Sequence, residues 1–220
     1  MRVFLDLDGP LLDVAERYYH VHKGIVAGQA VASLSLEEFW ELKRRQASIE
    51  ELLAGAGPEL SPARYRQAWL ESIEEPAALA HDRLVPGALS VLQVLASHHE
   101  LFLVTLRRDG GTLQWQLDRL GLGSYFLRIL WGQTNGEEGW RSKVKRIQAA
   151  GLAQGPAAIV GDTEVDVRAG KELGMVTIAT ANGIRTAEFL AHVAGADIVI
   201  PDIKALLPAL EALQAQGILA

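Results

Sequence analysis

Six short apolar runs recur along the chain: Val3–Leu7, Leu101–Thr105, Ile129–Trp131, Ala158–Val160, Val176–Ala179 and Ile198–Ile200. They are apolar nearly throughout rather than alternating with polar residues, as expected of strands covered on both faces. Between them, apolar residues return at helical spacing over Pro86–Ser97, Thr112–Leu120, Ser142–Ala150, Val165–Leu173, Thr186–Val193 and Ile203–Ala215. Gly121, Gly151, Gly174 and Gly195 punctuate the series as turns. Strand–helix alternation of this kind predicts an α/β fold: a Rossmann-like, mostly parallel sheet with helices on both faces.

One interval breaks the rhythm. Residues 14–81 contain no strand pattern and read as four helices, Val14–Ala27, Leu36–Arg45, Ile49–Leu53 and Pro62–Ile73. Ser48-Ile49-Glu50-Glu51 fits a capping box, and Ser61-Pro62 supplies an N-cap followed by proline at the first helical position. A helical insertion directly after the first strand predicts a small cap domain, 14–81, and a core split into 1–13 and 82–220.

Composition narrows the chemistry. The 220 residues include no cysteine, which excludes disulfides, thiolate metal sites and thiol catalysis. Lys and Arg total 21 against 27 Asp and Glu, a net charge of −6, which argues against a nucleic-acid or anionic-membrane partner. Carboxylates at Asp6 and Asp8 occupy the place where a signal peptide keeps its apolar run, and no stretch approaches bilayer length, so a soluble, cytoplasmic protein is expected. Oligomeric state is not legible.

In an open α/β sheet, ligands gather outside the carboxyl ends of the strands. The first strand delivers Asp6-Leu7-Asp8-Gly9 to that edge, and the second delivers Thr105, Leu106 and Arg107. The fourth delivers Gly161-Asp162-Thr163-Glu164-Val165-Asp166, while Lys143 and Lys145 open the helix after the third. Singly, each has an ordinary role as a cap, a turn residue or a solvated side chain. Together they form a constellation that capping does not explain. Clustered carboxylates suit Mg²⁺, which would also neutralise a phosphate. Asp6 is placed to attack phosphorus, and Asp8 to protonate the leaving oxygen and then activate water. Thr105 and a lysine would hold the non-bridging oxygens. The stripe of Val144, Ile147 and Gly151 favours Lys143 for that lysine, with Lys145 as the alternative.

Asp6-Leu7-Asp8-Gly9-Pro10 resembles the DxDGT motif of haloacid-dehalogenase-like (HAD) hydrolases. Phe102-Leu103-Val104-Thr105 resembles their second motif, and Gly161-Asp162-Thr163-Glu164-Val165-Asp166 their GDxxxD motif. Leu84-Val85-Pro86-Gly87 is similar to the turn that re-enters the core after a helical cap of the phosphoglycolate phosphatase type. The resemblance implies a magnesium-dependent phosphatase with an aspartyl-phosphate intermediate at Asp6, acting on a small phosphorylated metabolite. It also implies a metal held by Asp6, the Asp8 carbonyl, Asp162 and Asp166. Two departures stand out: Pro10 replaces the usual Thr, and the third motif lacks the common Lys-Pro pair. Asp8 favours phosphoryl transfer over dehalogenation. A phosphomutase of the same family shares Asp6 and Asp8 and is the nearest rival; a non-catalytic phosphometabolite-binding protein is a further one.

Gly9, Leu106 and Arg107 are candidate substrate contacts in the core. Lys43 is a fourth, because it continues the apolar stripe Leu36, Phe39, Trp40 of the cap; its bland role is to snorkel at a helix edge. Trp40, Tyr65 and Trp69 read as cap core, and the six histidines form no ligand set.

Overall fold

A computed structural model describes residues 1–29, 33–55, 59–134 and 136–219. The chain runs β1 (Arg2–Leu5), β2 (Leu12–Asp13), α1 (Ala15–Val26), α2 (Leu36–Arg44), α3 (Ile49–Leu52), α4 (Pro62–Ser72), α5 (Pro76–Leu79) and β3 (Arg83–Leu84). It continues through α6 (Ala88–His98), β4 (Glu100–Val104), α7 (Gly110–Leu120), β5 (Arg128–Leu130), α8 (Gly139–Ala149) and β6 (Ala157–Gly161). The last elements are α9 (Glu164–Glu172), β7 (Val176–Thr180), β8 (Ile198–Ile200) and α10 (Leu206–Ala215). Two compact units result, one of Met1–Asp13 with Leu84–Ala220, the other of Val14–Arg83.

The first unit carries a six-stranded sheet in the order β5-β4-β1-β6-β7-β8, and its five neighbouring pairs are all parallel. Register places Phe4 beside Phe102 on one side and Ile159 on the other. The two phenyl rings stack at 5.1 Å between centroids. With Val104, Leu130 and Ile159 they form a buried layer against Trp140, Val144 and Ile147 of α8 and Ala169 of α9. The same periodicity that buries Val144 and Ile147 carries Lys143 inward at the start of α8. Central strand β1 has neighbours on both sides, so the residues that follow it are flanked by the ends of β4 and β6.

The second unit is helical, as its sequence pattern predicts. Ser48 and Glu51 form the expected reciprocal cap, and Ser61 caps α4 ahead of Pro62. A second reciprocal cap, Ser35 with Glu38, starts α2. Tyr18 meets Trp40 and Trp69 edge-on at 5.9 and 5.2 Å, and Tyr65 stacks on Trp69 at 5.9 Å. His22 is buried, with its Nδ1 3.0 Å from the Tyr65 hydroxyl; burial, helped by the Lys43 charge, lowers it to about 4. It is therefore a neutral core residue, not a ligand. The Arg17–Asp82 pair, 3.2 Å apart and almost wholly buried, ties α1 to the end of the insertion.

Two details go beyond the sequence pattern. The helix predicted over Thr186–Val193 is present and runs as a π-helix over Phe189–Val193, with Leu190 N–H on the Thr186 carbonyl and Ala194 N–H on the Phe189 carbonyl. The short strands β2 and β3, which form a two-stranded sheet, carry no apolar run and leave no period to read. No helix among the described residues is long and apolar enough to cross a membrane.

Candidate active site

Asp6 follows the last residue of β1, its N–H donating to the Val160 carbonyl at 2.9 Å as though the ladder to β6 ran one step further. Its Oδ1 accepts from the Leu7 N–H at 2.8 Å, and its Oδ2 lies 2.9 Å from Lys143 Nζ. The chain then turns back sharply, with Leu11 and Leu12 N–H both on the Leu7 carbonyl. Gly9 makes the turn possible: its φ is +92°, and a Cβ there would sit 2.2 Å from Asp162 Cγ. DxDG is thus a packing requirement as well as a chemical one.

Asp162 extends β6, is 3% exposed, and accepts the Ile184 N–H on Oδ2 at 2.7 Å. Asp166 sits in the first turn of α9, where Oδ2 accepts the Thr163 hydroxyl at 2.7 Å and Oδ1 meets Lys143 Nζ at 2.5 Å. Lys143 bridges Asp6 and Asp166 and is 1% exposed. Lys145 points elsewhere, with its side chain 66% exposed and paired to Glu137 at 2.6 Å. Of the two lysines left open by the sequence, the fold brings Lys143 to the carboxylates.

Thr105 follows the last residue of β4, is buried, and accepts the Arg107 N–H on its hydroxyl at 3.4 Å. Leu106 between them is half-buried. Arg107 is buried, and its Nη2 lies 2.7 Å from Asp8 Oδ1 and 3.1 Å from Gln116 Oε1. Lys43 belongs to the other unit, where its ammonium lies 5.1 Å from the Trp69 ring centre and 5.8 Å from that of Tyr18. That is a cation–π setting on the aromatic cluster.

The electrostatics follow from burial. Desolvation pushes Asp6 up to about 7 against the pull of Lys143, with the Asp166 and Asp8 carboxylates adding to the rise. Asp162 is raised well above its ordinary value, first by burial and then by Asp166 and Asp6. Burial alone would lower Lys143, but Asp166 and Asp6 outweigh it and hold the ammonium charged. Asp6, Asp162 and Asp166 each offer an oxygen within 4.8 Å of the others. Among the described residues Lys143 pairs with two of these three carboxylates and Arg107 pairs with Asp8, so three carboxylates share the Lys143 ammonium and the cluster carries excess negative charge when ionised. Hard oxygen donors with uncompensated charge fit a divalent cation.

The loop after β7 also reaches the site, although no motif in the sequence marks it. Asn182 Nδ2 donates to the Gly9 carbonyl at 2.9 Å, and Ile184 N–H holds Asp162. Arg185 grips Glu164 through Nε and Nη2 at 2.8 and 2.9 Å. A Cβ on Gly183 would fall 2.0 Å from Asp162 Oδ2. Asn182-Gly183 reads locally as a turn, and nothing in that dipeptide points to the neighbour it must clear. Gly183→Ala is expected to displace Asp162 and weaken divalent-cation binding at the cluster by about 10- to 100-fold, as disturbed supports of metal ligands do. A magnesium titration of the variant checks this; an unchanged midpoint would remove the loop from the site.

The Asp6 shift also fixes a sign. Asp6 has an ordinary value of 3.8 and a folded value near 7, so between those pH values the native state holds more proton than the unfolded chain. Stability that this group contributes is present below about pH 4 and is lost as pH rises through about 7. Metal-free wild type should therefore lose stability relative to Asp6→Asn across that window, by on the order of 2–4 kcal/mol, and added Mg²⁺ should reverse the loss at pH 8. Paired thermal melts at pH 4.5, 6 and 8 test it; a pH-independent difference would contradict the assigned environment.

The sequence model described as haloacid dehalogenase-like hydrolase matches residues 3–180. A phosphoglycolate phosphatase of Pseudomonas putida is 28% identical over 217 residues, covering 94% of this chain and 78% of its own. Another from Aquifex aeolicus is 28% identical over 187 residues, covering 80% and 83%. Among solved structures, a haloacid dehalogenase-like hydrolase of Streptococcus pneumoniae superposes with a TM-score of 0.77 at 20% identity, covering 95% of this chain and 97% of its own.

Proposed function

Because the chain belongs to the haloacid dehalogenase-like hydrolases and is a phosphatase of that family, we propose that it hydrolyses a small phosphomonoester with Mg²⁺ through a covalent intermediate on Asp6. The observation that carries the reading is Asp6 held by Lys143 within a buried carboxylate cluster, with Asp8 two residues away on its own guanidinium partner.

The residues divide the reaction as follows. An Asp6 carboxylate oxygen attacks phosphorus while the ester P–O bond breaks, and Asp8 gives its proton to the departing oxygen. A water then attacks the phosphorus of the aspartyl phosphate, Asp8 takes a proton from it, and Asp6 leaves as the free carboxylate with phosphate released. Lys143 offsets negative charge at Asp6 in both steps, and the Thr105 hydroxyl and the Gly9 and Leu106 backbone are assigned to phosphate oxygens. Asp6, Asp162, Asp166 and the Asp8 carbonyl would hold the cation, which when bound supplies charge neutralisation at the phosphate.

Phosphoglycolate is the first ester to test, since two relatives carry that name. Phosphate release from a panel of esters with and without Mg²⁺ decides the matter. Magnesium-dependent release is the expected result. No release from any ester, with transfer between sugar hydroxyls instead, would replace hydrolase by mutase.

A further inference from the structure

We propose that Arg107 is a positioning residue for Asp8, and that Gln116 sets the guanidinium in place. The inference rests on the reading of Asp8 as the proton-transfer group and adds to it the parts that aim that group.

Arg107 stands two residues beyond Thr105, where an arginine in a loop would ordinarily be solvated. Instead it is 5% exposed, and a buried guanidinium is tolerated only where its charge is answered. Asp8 answers it at 2.7 Å through Oδ1, with the Asp8 side chain still 25% exposed. Arg107 thus backs the carboxylate, whose open portion is left to the solvent side. The same Nη2 lies 3.1 Å from Gln116 Oε1, and Gln116 is fully buried between Leu113 and Leu117 on the inner stripe of α7. A polar residue in an apolar stripe has a reason to be there when it fixes a neighbour's geometry.

Local structure enforces the arrangement. Asp109 caps α7 by accepting the Thr112 N–H at 2.7 Å, which sets the path of the turn that carries Arg107. The Arg107 N–H on the Thr105 hydroxyl binds the other end. A carboxyl group keeps an acceptor oxygen whether or not it is protonated, so the contact to Oδ1 is available in both halves of the reaction. Lysine, a point charge on a flexible stem, would reproduce the charge but not the planar fork. The assignment differs from a substrate contact: an arginine spent on Asp8 acts on the leaving group through that residue and does not select a second anionic group.

The test uses the full chain with Mg²⁺ and two esters, p-nitrophenyl phosphate with a good leaving group and phosphoglycolate with a poor one. The readout is the ratio of kcat on the poor ester to kcat on the good one. Asp8→Ala should lower that ratio by about 100-fold or more. Arg107→Met should lower it by about tenfold or more with KM for phosphoglycolate nearly unchanged, and Arg107→Lys should restore part of it. In the Asp8→Ala background, Arg107→Met should cost less than about threefold, since the residue it serves is gone. Should Arg107→Met fold poorly, Arg107→Met with Gln116→Leu removes donor and buried acceptor together and serves as the folded comparison.

A rise in KM for phosphoglycolate with the kcat ratio intact would make Arg107 a substrate contact and overturn the proposal. So would a full, additive loss in the Asp8→Ala background. If Asp8→Ala itself leaves the ratio unchanged, the reading of Asp8 fails first and the role of Arg107 falls with it. That outcome is distinct from one in which Asp8→Ala behaves as expected and Arg107→Met does not.

Discussion

Asp6→Asn is expected to lower turnover by about four orders of magnitude or more while leaving the protein folded. Asn is nearly isosteric, and its Oδ1 still accepts the Leu7 N–H that Asp6 accepts at 2.8 Å. What it cannot do is attack phosphorus as an anion, so the two-step route through an aspartyl phosphate closes. Because burial already pushes Asp6 up to about 7, replacing it by a neutral amide removes a group that is costly to ionise. The variant should melt at the wild-type temperature or above it at neutral pH without metal. Phosphate release on a sample whose mass verifies the substitution, beside its melting curve, is the measurement. Near-normal turnover in such a sample would end the covalent mechanism.

Lys143→Met carries the largest expected effect on stability. The ammonium is 1% exposed and lies 2.9 Å from Asp6 and 2.5 Å from Asp166, so its loss leaves buried carboxylates facing one another. Breaking a buried pair in this way costs about 3–5 kcal/mol. The loss should be greatest at neutral pH without divalent cation, and acidification toward pH 5 should recover part of it as carboxyl groups protonate. Lys145→Met, at a side chain 66% exposed, should stay within about 0.5 kcal/mol of wild type. Urea unfolding of the two variants side by side distinguishes them. Equal losses would mean that Lys143 does not carry the charge of the cluster.

The contrast between these lysines shows where sequence reading reached and where it stopped. Helical period put Lys143 next to the buried stripe, yet Lys145 lies only two residues on, and period alone assigns faces, not neighbours. Arg107, followed by Arg108 in the same loop, poses the same difficulty. An Arg-Arg pair in a loop gives no sign that one member lies at 5% exposure against Asp8, because that depends on where α7 places Gln116. The helix predicted from Thr186 is present with its apolar residue Leu190 buried, but its widening to a π-helix over Phe189–Val193 is not legible in the period.

What the sequence determined by itself is whatever a local pattern encodes. Continuous apolar runs specified the strands of a doubly covered sheet, and Ser48 and Ser61 marked two helix starts. A run of residues without strand character marked the insertion. The acidic motifs were legible because chemistry demands them within a few residues of one another, at strand ends that a parallel sheet aligns. Tertiary structure alone decided the rest: which lysine bridges Asp6 to Asp166, why Gly183 must lack a side chain beside Asp162, and that Arg107 stands behind Asp8. These contacts join residues 99 apart in the case of Arg107 and Asp8 and 22 apart in the case of Ile184 and Asp162. Energies of that kind arise from burial and distance after the chain has folded, and no local spacing carries them.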